Sequence, residues 1–234
     1  MKIIAGNWKM NGSRATLNKM ISDLDKIETN NTIILCVPYT MLGAGTDTIS
    51  IGAQDASAYT HGAYTGEVSA QMIADTGAKY VIVGHSERRQ YHNETNDIVR
   101  TKAAQVMANG MIPIICVGET MDEKQAGKTM SIIESGVRES VPSEITGPII
   151  IAYEPRWAIG AGLTPTESEI ADAHTLIANT LSDMGLGGTP ILYGASVKGS
   201  NAHEIMSIPN VDGVLVGGAS LKSDDFIPII TSVK

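Results

Sequence analysis

Short runs of apolar, often β-branched residues recur along the chain and alternate with longer helix-like segments. Eight such runs can be recognised: Lys2–Gly6, Thr32–Val37, Ile49–Gln54, Lys79–Gly84, Ile112–Val117, Ile149–Tyr153, Pro190–Gly194 and Gly213–Val216. Their residues are mostly apolar throughout, a pattern typical of strands that are buried on both faces. Strands that alternate with helices predict a parallel sheet covered by helices.

The segments between these runs have the length and periodicity of helices. We predict helices over Thr16–Ile27, Asn96–Asn109, Met130–Ser140 and Glu167–Met184, and a short helix around Val68–Asp75. Thr166 and Glu169 form the pattern of a capping box, which predicts the start of the helix after the sixth strand.

Eight strand–helix units in 234 residues predict an α/β fold, a (β/α)8 TIM barrel, with a single domain over residues 1–234. Barrels of this type typically have about 250 residues. The alternative is an open doubly wound sheet, which is less favoured because no Gly-x-Gly-x-x-Gly follows the first strand.

Composition and charge exclude several classes of protein. The chain is 43% hydrophobic and 18% charged, as expected for a globular protein. No apolar run reaches the about 18 residues of a membrane helix, and the first residues do not resemble a signal peptide. We therefore expect a cytoplasmic protein without a membrane partner. The formal net charge of −8 argues against a nucleic-acid partner, which requires a basic surface.

The two cysteines do not suggest a disulfide or a metal site. Cys36 and Cys116 each lie within a strand-like apolar run, so we expect buried, reduced thiols. The sequence has no Cys-x-x-Cys and no His-Glu-x-x-His, and we expect neither a metal nor an organic cofactor.

Polar residues follow several of the predicted strands at their C-terminal ends, where barrels of this type carry their chemistry. The first strand leads to Asn7 and Lys9, the fourth to His85 and the sixth to Glu154. A carboxylate fixed at a strand end beneath a glycine-bearing loop suits proton abstraction in a water-poor pocket. Such a pocket is expected to raise the pKa of Glu154.

Small residues after the last two strands suggest a phosphate site. Ser196 follows the seventh strand, and Gly217 and Gly218 follow the eighth. Glycines allow backbone N–H groups to approach an anion, and a short helix starting near Gly218 would add its N-terminal dipole. The loops after these two strands commonly bind phosphate in such barrels.

Four motifs in the same order identify a family resemblance over essentially the whole chain. They are Asn-Trp-Lys-Met-Asn-Gly from Asn7, Gly-His-Ser-Glu-Arg-Arg from Gly84, Ala-Tyr-Glu-Pro-x-Trp-Ala-Ile-Gly from Ala152, and Leu-Val-Gly-Gly-Ala-Ser-Leu from Leu215. The chain thereby resembles the triosephosphate isomerase family. The resemblance implies interconversion of dihydroxyacetone phosphate and D-glyceraldehyde 3-phosphate through an enediolate, in glycolysis and gluconeogenesis.

The resemblance also implies a role for each matching residue. Glu154 is the base, and His85 is a neutral electrophile, a mechanism known for this family. Lys9 neutralises the enediolate and the phosphate. Asn7, Gly160, Ser196, Gly217 and Gly218 contact substrate, whereas Glu87, Cys116 and Tyr193 support the site. The resemblance assigns a closing lid to Pro155, Arg156, Trp157, Ala158, Ile159, Gly160, Ala161, Gly162, Leu163, Thr164 and Pro165.

The loop Gln54–Glu67 is too long for a simple connector. In the resembled family this loop docks into a neighbouring subunit near the residues that match Asn7 and Lys9. We therefore expect a homodimer, whose contact loop includes Tyr64, Thr65, Gly66 and Glu67, with Thr65 at the tip.

Three positions depart from the commoner family pattern. Arg156 replaces a small apolar residue, Leu163-Thr164-Pro165 replaces Lys-Thr-Ala, and Ala195 replaces a glycine. Proline has no N–H, so the family's hydrogen bond from this position to the tyrosine matching Tyr193 cannot form. We expect Ala195 to keep a negative φ or to be strained.

Two alternatives stay open at this point. One is another phosphate-binding barrel, such as an aldolase or an indole-forming enzyme, although no Schiff-base lysine ends strands five to seven. The other is a catalytically impaired sugar-phosphate-binding barrel, which the retained Asn7, Lys9, His85 and Glu154 disfavour.

Overall fold

Eight parallel strands close into a barrel in the computed structural model, which describes residues 1–43, 45–159 and 163–233. The strands follow one another in chain order around the barrel, and the first pairs with the last through Ile3 and Gly213. They are β1 (Ile3–Asn7), β2 (Thr32–Cys36), β3 (Ile49–Ala53), β4 (Tyr80–Val83), β5 (Ile112–Val117), β6 (Ile150–Tyr153), β7 (Ile191–Tyr193) and β8 (Gly213–Val216). The predicted (β/α)8 barrel is confirmed, and the open-sheet alternative is wrong.

The helices pack around the outside of this barrel. The described residues form α1 (Arg14–Leu24), α2 (Ala70–Ala74), α3 (Ser86–Tyr91), α4 (Asn96–Ala108), α5 (Met121–Gln125), α6 (Thr129–Ser140), α7 (Glu167–Asp183), α8 (Ala202–Ser207) and α9 (Ser223–Ile230). Single 3-10 turns cover Tyr39–Met41, Arg156–Ala158 and Gly218–Leu221.

Caps explain where the predicted helices begin. The helix predicted from Thr16 begins at Arg14, because the Ser13 side chain accepts the N–H of Thr16 at 3.2 Å. The capping box of Thr166 and Glu169 is present at the start of α7. The short helices α5 and α8 and the proline-containing α9 were not predicted from the sequence, because each is too short or too interrupted to show a clear period.

Two buried clusters make up the core. An inner cluster fills the barrel and contains Ala5, Ile34, Cys36, Ile82, Ile114, Cys116, Ile150, Ala152, Leu192 and Leu215. A larger outer cluster packs the strands against the helices. Both cysteines are free and buried, as predicted. Within the described ranges no helix is long and apolar enough to cross a membrane.

Candidate active site

A cavity of about 310 Å³ lies at the C-terminal ends of the strands. Residues that were predicted from separate motifs line it together: Asn7, Lys9, His85, Glu154, Ser196, Gly217 and Gly218. The lid residues Gly160, Ala161 and Gly162 lie outside the described residues. The barrel therefore brings a cation, an imidazole, a carboxylate and two glycine turns to one rim.

The carboxylate of Glu154 is buried directly after β6. Its Oε2 accepts the backbone N–H of Ser86 at 2.8 Å, and its Oε1 lies 3.0 Å from His85 Nε2. Glycines directly after both neighbouring strands, β5 and β7, make room for this residue. A Cβ on Gly118 would come within 1.8 Å of the Glu154 carbonyl oxygen, and one on Gly194 within 3.0 Å of Glu154 Cγ.

These contacts set the ionisation of Glu154. Burial by itself would raise its pKa, but the His85 ring and the Ser86 N–H outweigh burial and hold the pKa of Glu154 below its ordinary value. The sequence-based prediction of a raised pKa is therefore wrong for this conformation. The pocket buries the carboxylate, but it presents two donors to it.

The ring of His85 precedes α3 and caps it. Its Nδ1 accepts the N–H of Glu87 at 3.2 Å, so Nδ1 carries no proton and Nε2 is the donor to Glu154. Burial lowers the pKa of His85, but the carboxylates of Glu154 and Glu87 raise it above its ordinary value. The Nδ1 hydrogen bond decides the form in this geometry, because a doubly protonated ring could not accept it. The ring is thus a neutral N–H donor.

Lys9 has an unusual backbone conformation, with φ of 51°. This left-handed conformation costs a non-glycine residue about 1–2 kcal/mol and requires support from its surroundings. The Asn7 side chain accepts the Lys9 N–H at 3.0 Å. The Gln54 amide donates to the carbonyl oxygens of Lys9 and Cys36, each at 3.0 Å. Gln54 thereby fixes the Lys9 backbone to β2.

The side chain of Lys9 crosses the site. Its ammonium group forms an ion pair with Glu87 Oε1 at 2.5 Å. A Cβ placed on Gly217 would lie 3.6 Å from Lys9 Cε, so the lysine passes close to the glycine turn after β8. The short helix predicted near Gly218 is a 3-10 turn, and Ser220 closes it by donating its Oγ–H to the Gly217 carbonyl at 2.7 Å.

The residues predicted to support the site adjoin groups that line the cavity. Burial raises the pKa of the Cys116 thiol, and the nearby Glu154 carboxylate raises it further, so this cysteine is neutral. The Tyr193 hydroxyl is buried and finds no hydrogen-bond partner among the described residues. Pro165 is buried, and Ala195 is not among the described residues with positive φ.

The start of the segment predicted to form a lid is anchored by a residue that the sequence did not reveal. Glu119 is buried after β5 and accepts the Trp157 indole N–H at 2.7 Å. The Tyr153 hydroxyl lies 3.3 Å from the same carboxylate. Lys124 lies over the Trp157 ring at 3.5 Å and pairs with Glu169 at 2.5 Å. These contacts join the segment after β6 to the start of α7.

The long loop after β3 is exposed. Residues 59–67 are all exposed, and the rings of Tyr59 and Tyr64 stack with centroids 3.8 Å apart. Thr65, Gly66 and Glu67 lie next to this pair. The loop thus presents two stacked aromatic rings at the surface.

Comparison with known proteins assigns the chain to a family. A family model described as triosephosphate isomerase matches residues 2–233. The chain belongs to the triosephosphate isomerase family. It is therefore an isomerase, and the reaction of this family is the interconversion of dihydroxyacetone phosphate and glyceraldehyde 3-phosphate. The assignment agrees with the family resemblance of the four motifs.

Individual relatives match over nearly the full length. The triosephosphate isomerase of Rhizobium meliloti (strain 1021) is 45% identical over 240 residues, which cover 97% of this chain and 94% of the relative. That of Ruegeria sp. (strain TM1040) is 43% identical, with 99% and 98% coverage. A crystal structure of triosephosphate isomerase from Bartonella henselae superposes with a TM-score of 0.87 at 36% identity, covering 99% of this chain and 98% of that chain.

Several residues of the triosephosphate isomerase site escaped the sequence analysis. Gln54 contacts the Lys9 backbone, and Glu119 accepts the Trp157 indole N–H. A single polar residue at a strand end does not reveal, from sequence alone, which group it will contact. Their positions at the ends of β3 and β5 were the available signal, because these ends face the same rim as Glu154. Lys198 also lines the cavity and was not singled out.

Proposed function

We propose that this chain, as one isomerase domain over residues 1–234, interconverts dihydroxyacetone phosphate and D-glyceraldehyde 3-phosphate in glycolysis and gluconeogenesis. One observation carries the proposal. A buried carboxylate, a neutral imidazole N–H and a lysine from three different strands line one cavity, with Glu154 Oε1 only 3.0 Å from His85 Nε2. Removing a proton beside a carbonyl requires a base, a hydrogen-bond donor to the oxygen and a positive charge.

The proposed sequence of events uses each of these groups. Backbone N–H groups near Ser196, Gly217 and Gly218 hold the phosphate, and Asn7 contacts the substrate. Glu154 releases the Ser86 N–H, takes a proton from one carbon and returns it to the neighbouring carbon. Between these two steps the Nε2–H of His85 and the ammonium of Lys9 stabilise the enediolate oxygens. His85 Nε2 also gives its proton to the former carbonyl oxygen and takes the hydroxyl proton from the neighbouring oxygen, so that the carbonyl forms on the other carbon. Gly160 is proposed as a further phosphate contact from the lid.

The decisive variant is Glu154→Asp, which retracts the carboxylate by one methylene. We expect kcat to fall by about 10²-fold or more in a coupled assay with glyceraldehyde 3-phosphate, since a 1 Å misplacement of a reacting group can cost that much. Glu204→Asp, on the exposed surface of α8, is the matched control and should leave kcat unchanged. An unaltered kcat in Glu154→Asp would exclude Glu154 as the base. Absence of turnover in the unsubstituted chain would favour the impaired sugar-phosphate-binding barrel.

We further propose that the chain is a cytoplasmic homodimer. Two features support a second copy as the partner: the exposed loop that carries Thr65, and a cavity of about 380 Å³ beside Lys9 that is lined by Met10, Tyr39 and Tyr91. Met10 is 96% exposed and Tyr91 is 70% exposed, so this apolar surface is uncovered in one copy. Insertion of the partner's loop would cover it.

Sedimentation over a concentration series tests the dimer. We expect dimer at assay concentrations, and Thr65→Arg should shift it toward monomer because the loop tip would have to bury a bulkier, charged side chain. Lys128→Glu, at the exposed position before α6, is the control for a change of charge. A fully active monomer at every concentration would contradict the proposal.

A further inference from the structure

Lys198 lies where two cavities adjoin on the active-site rim. It lines the site cavity together with Ser196, Gly217 and Gly218, and it also lines a neighbouring cavity of about 580 Å³. Gly218 and Ala219 are shared by the same two cavities. The lysine therefore stands at the phosphate end of the site, on the opposite loop from the glycine turn after β8.

The backbone that carries Lys198 is firmly held. Its N–H donates to Asn201 Oδ1 at 2.8 Å, and its carbonyl accepts the N–H groups of Asn201 and Ala202 at 3.1 and 3.0 Å. The next residue, Gly199, packs so closely on α9 that a Cβ there would come within 2.6 Å of Pro228 Cβ. The exposed ammonium group thus extends from a rigid base, which limits the space that it samples.

The charges around the two cavities make this lysine distinctive. Lys9 is paired with Glu87, Glu154 is an anion within the site, and Asp224 and Asp225 line the neighbouring cavity. Among the described residues that line one or both of these cavities, Lys198 is the lysine without an ion pair. The whole chain has a net charge of −8, which repels an anionic substrate at long range.

We propose that Lys198 is a further substrate-binding residue, which attracts the phosphate dianion to the glycine turns and offsets repulsion by Asp224 and Asp225. This inference rests on the proposed isomerase function. The lysine lies at the rim and not beside the reacting carbons, so its charge stabilises the bound substrate and the transition state alike. An interaction of this kind changes KM and leaves kcat unaltered.

The test compares Lys198→Gln with Lys79→Gln at two ionic strengths. Lys79 is also exposed and also outside any described ion pair, but it precedes β4 at the opposite end of the barrel. At about 0.01 M ionic strength, where charges act over about 30 Å, we expect Lys198→Gln to raise KM about threefold to fivefold with kcat within about twofold. At about 0.15 M the difference should shrink, because the screening length falls to about 8 Å. Lys79→Gln should change neither constant.

Two further variants test the sign of the effect. Lys198→Arg should retain the original KM, because it keeps the charge. Asp225→Asn should lower KM at low ionic strength, because it removes a repulsive charge from the neighbouring cavity. Equal KM values for Lys198→Gln and Lys79→Gln would overturn the proposal. So would a fall in kcat at unchanged KM, since that would place the lysine in the chemical step.

Binding of inorganic phosphate, measured by calorimetry at both ionic strengths, separates this inference from the proposed function. Weaker phosphate binding by Lys198→Gln than by Lys79→Gln would support the role of Lys198 even if the unsubstituted chain showed no turnover. Equal phosphate affinities would overturn that role even if the chain proved to be an active isomerase.

Discussion

The Nε2–H of His85 donates to Oε1 of Glu154 at 3.0 Å, while the other oxygen of the same carboxylate accepts the N–H of Ser86. Both carboxylate oxygens are therefore hydrogen-bonded to the protein. The proposed donor to the substrate oxygen and the proposed base thus satisfy one another in this state. We expect substrate to replace these two contacts. Before substrate binds, they compensate the burial of a carboxylate that would otherwise be unpaired.

This relationship predicts the effect of His85→Gln on the pH profile. The substitution removes the ring that helps to keep the Glu154 pKa low, so the pKa of the base should rise. The acid limb of kcat/KM against pH should therefore move to higher pH. The maximal kcat should fall by about 10²-fold or more, because a preorganised donor is lost. A profile that keeps its acid limb at the original pH would show that the His85 ring does not control the ionisation of Glu154.

The buried His174 should make the folding stability of the protein depend on pH. His174 is fully buried in α7, its Nδ1 lies 2.9 Å from the Asn210 carbonyl, and Tyr153 and Tyr193 pack against its ring. Burial lowers the pKa of His174 to about 4, although the hydrogen bond to the Asn210 carbonyl and the Asp212 carboxylate each raise it. Between about pH 6.5 and pH 4 the unfolded chain binds more protons at this residue than the folded chain. Its contribution to stability is thus complete above about pH 6.5 and is lost as the pH falls toward 4.

The contribution of His174 to the pH dependence of stability can be measured with His174→Asn, which keeps a donor for the Asn210 carbonyl but does not titrate. The native histidine should lower the free energy of unfolding by about 2 kcal/mol at pH 5 relative to pH 7. This follows from about 1.5 pH units between its ordinary pKa and pH 5, at 1.36 kcal/mol each. The variant should therefore lose less stability than the unsubstituted chain between pH 7 and pH 5 at equal protein concentration. Parallel losses in both proteins would contradict a buried neutral histidine.

Lys102 is at the centre of a buried cluster of charges, and its removal should strongly lower the stability of the protein. Lys102 Nζ lies 2.7 Å from Asp55 and 2.5 Å from Glu94, and Arg88 pairs with both carboxylates. Removing one partner of a buried ion pair costs about 3–5 kcal/mol, because the remaining charges lose their compensation. Lys102→Met should lower the melting temperature by about 10 °C, at about 2–4 °C per kcal/mol.

The exposed Lys128 provides the control for this prediction. Lys128→Met should leave the melting temperature nearly unchanged, since single exposed charges contribute little. Burial raises the pKa of Asp55 to about 6 even with Lys102 present. The Lys102→Met variant should therefore recover part of its stability as the pH falls and Asp55 becomes neutral. A melting temperature that does not respond to pH would count against uncompensated carboxylates as the cause.

The limits of sequence interpretation follow from the range of the interactions involved. The barrel was predictable because each strand carries its own apolar run, and Glu154 was predictable because it ends such a run. The orientation of its carboxylate was not, because that depends on Ser86 and His85, far away in the chain. The low pKa of Glu154 follows from the same long-range donors. The left-handed Lys9 was equally hidden, since its support comes from Gln54.

The unpartnered hydroxyl of Tyr193 makes the departure at Pro165 testable. Proline offers no N–H, and within the described residues the Tyr193 hydroxyl has no partner. If Pro165→Ala restores a donor, it gains a hydrogen bond worth about 0.5–1.5 kcal/mol but loses about 0.4–1 kcal/mol from a more flexible unbound segment. We therefore expect kcat/KM to change by less than about tenfold, or 1.4 kcal/mol.

A double-mutant cycle with Tyr193→Phe separates these two terms. In the native Pro165 background, Tyr193→Phe should have little effect on kcat/KM, because the hydroxyl lacks a partner. In the Pro165→Ala background the same substitution should lower kcat/KM by about threefold to tenfold, because it removes the restored hydrogen bond. Additive effects across the cycle would show that residue 165 and the Tyr193 hydroxyl do not interact, and the proline would then act only through backbone stiffness.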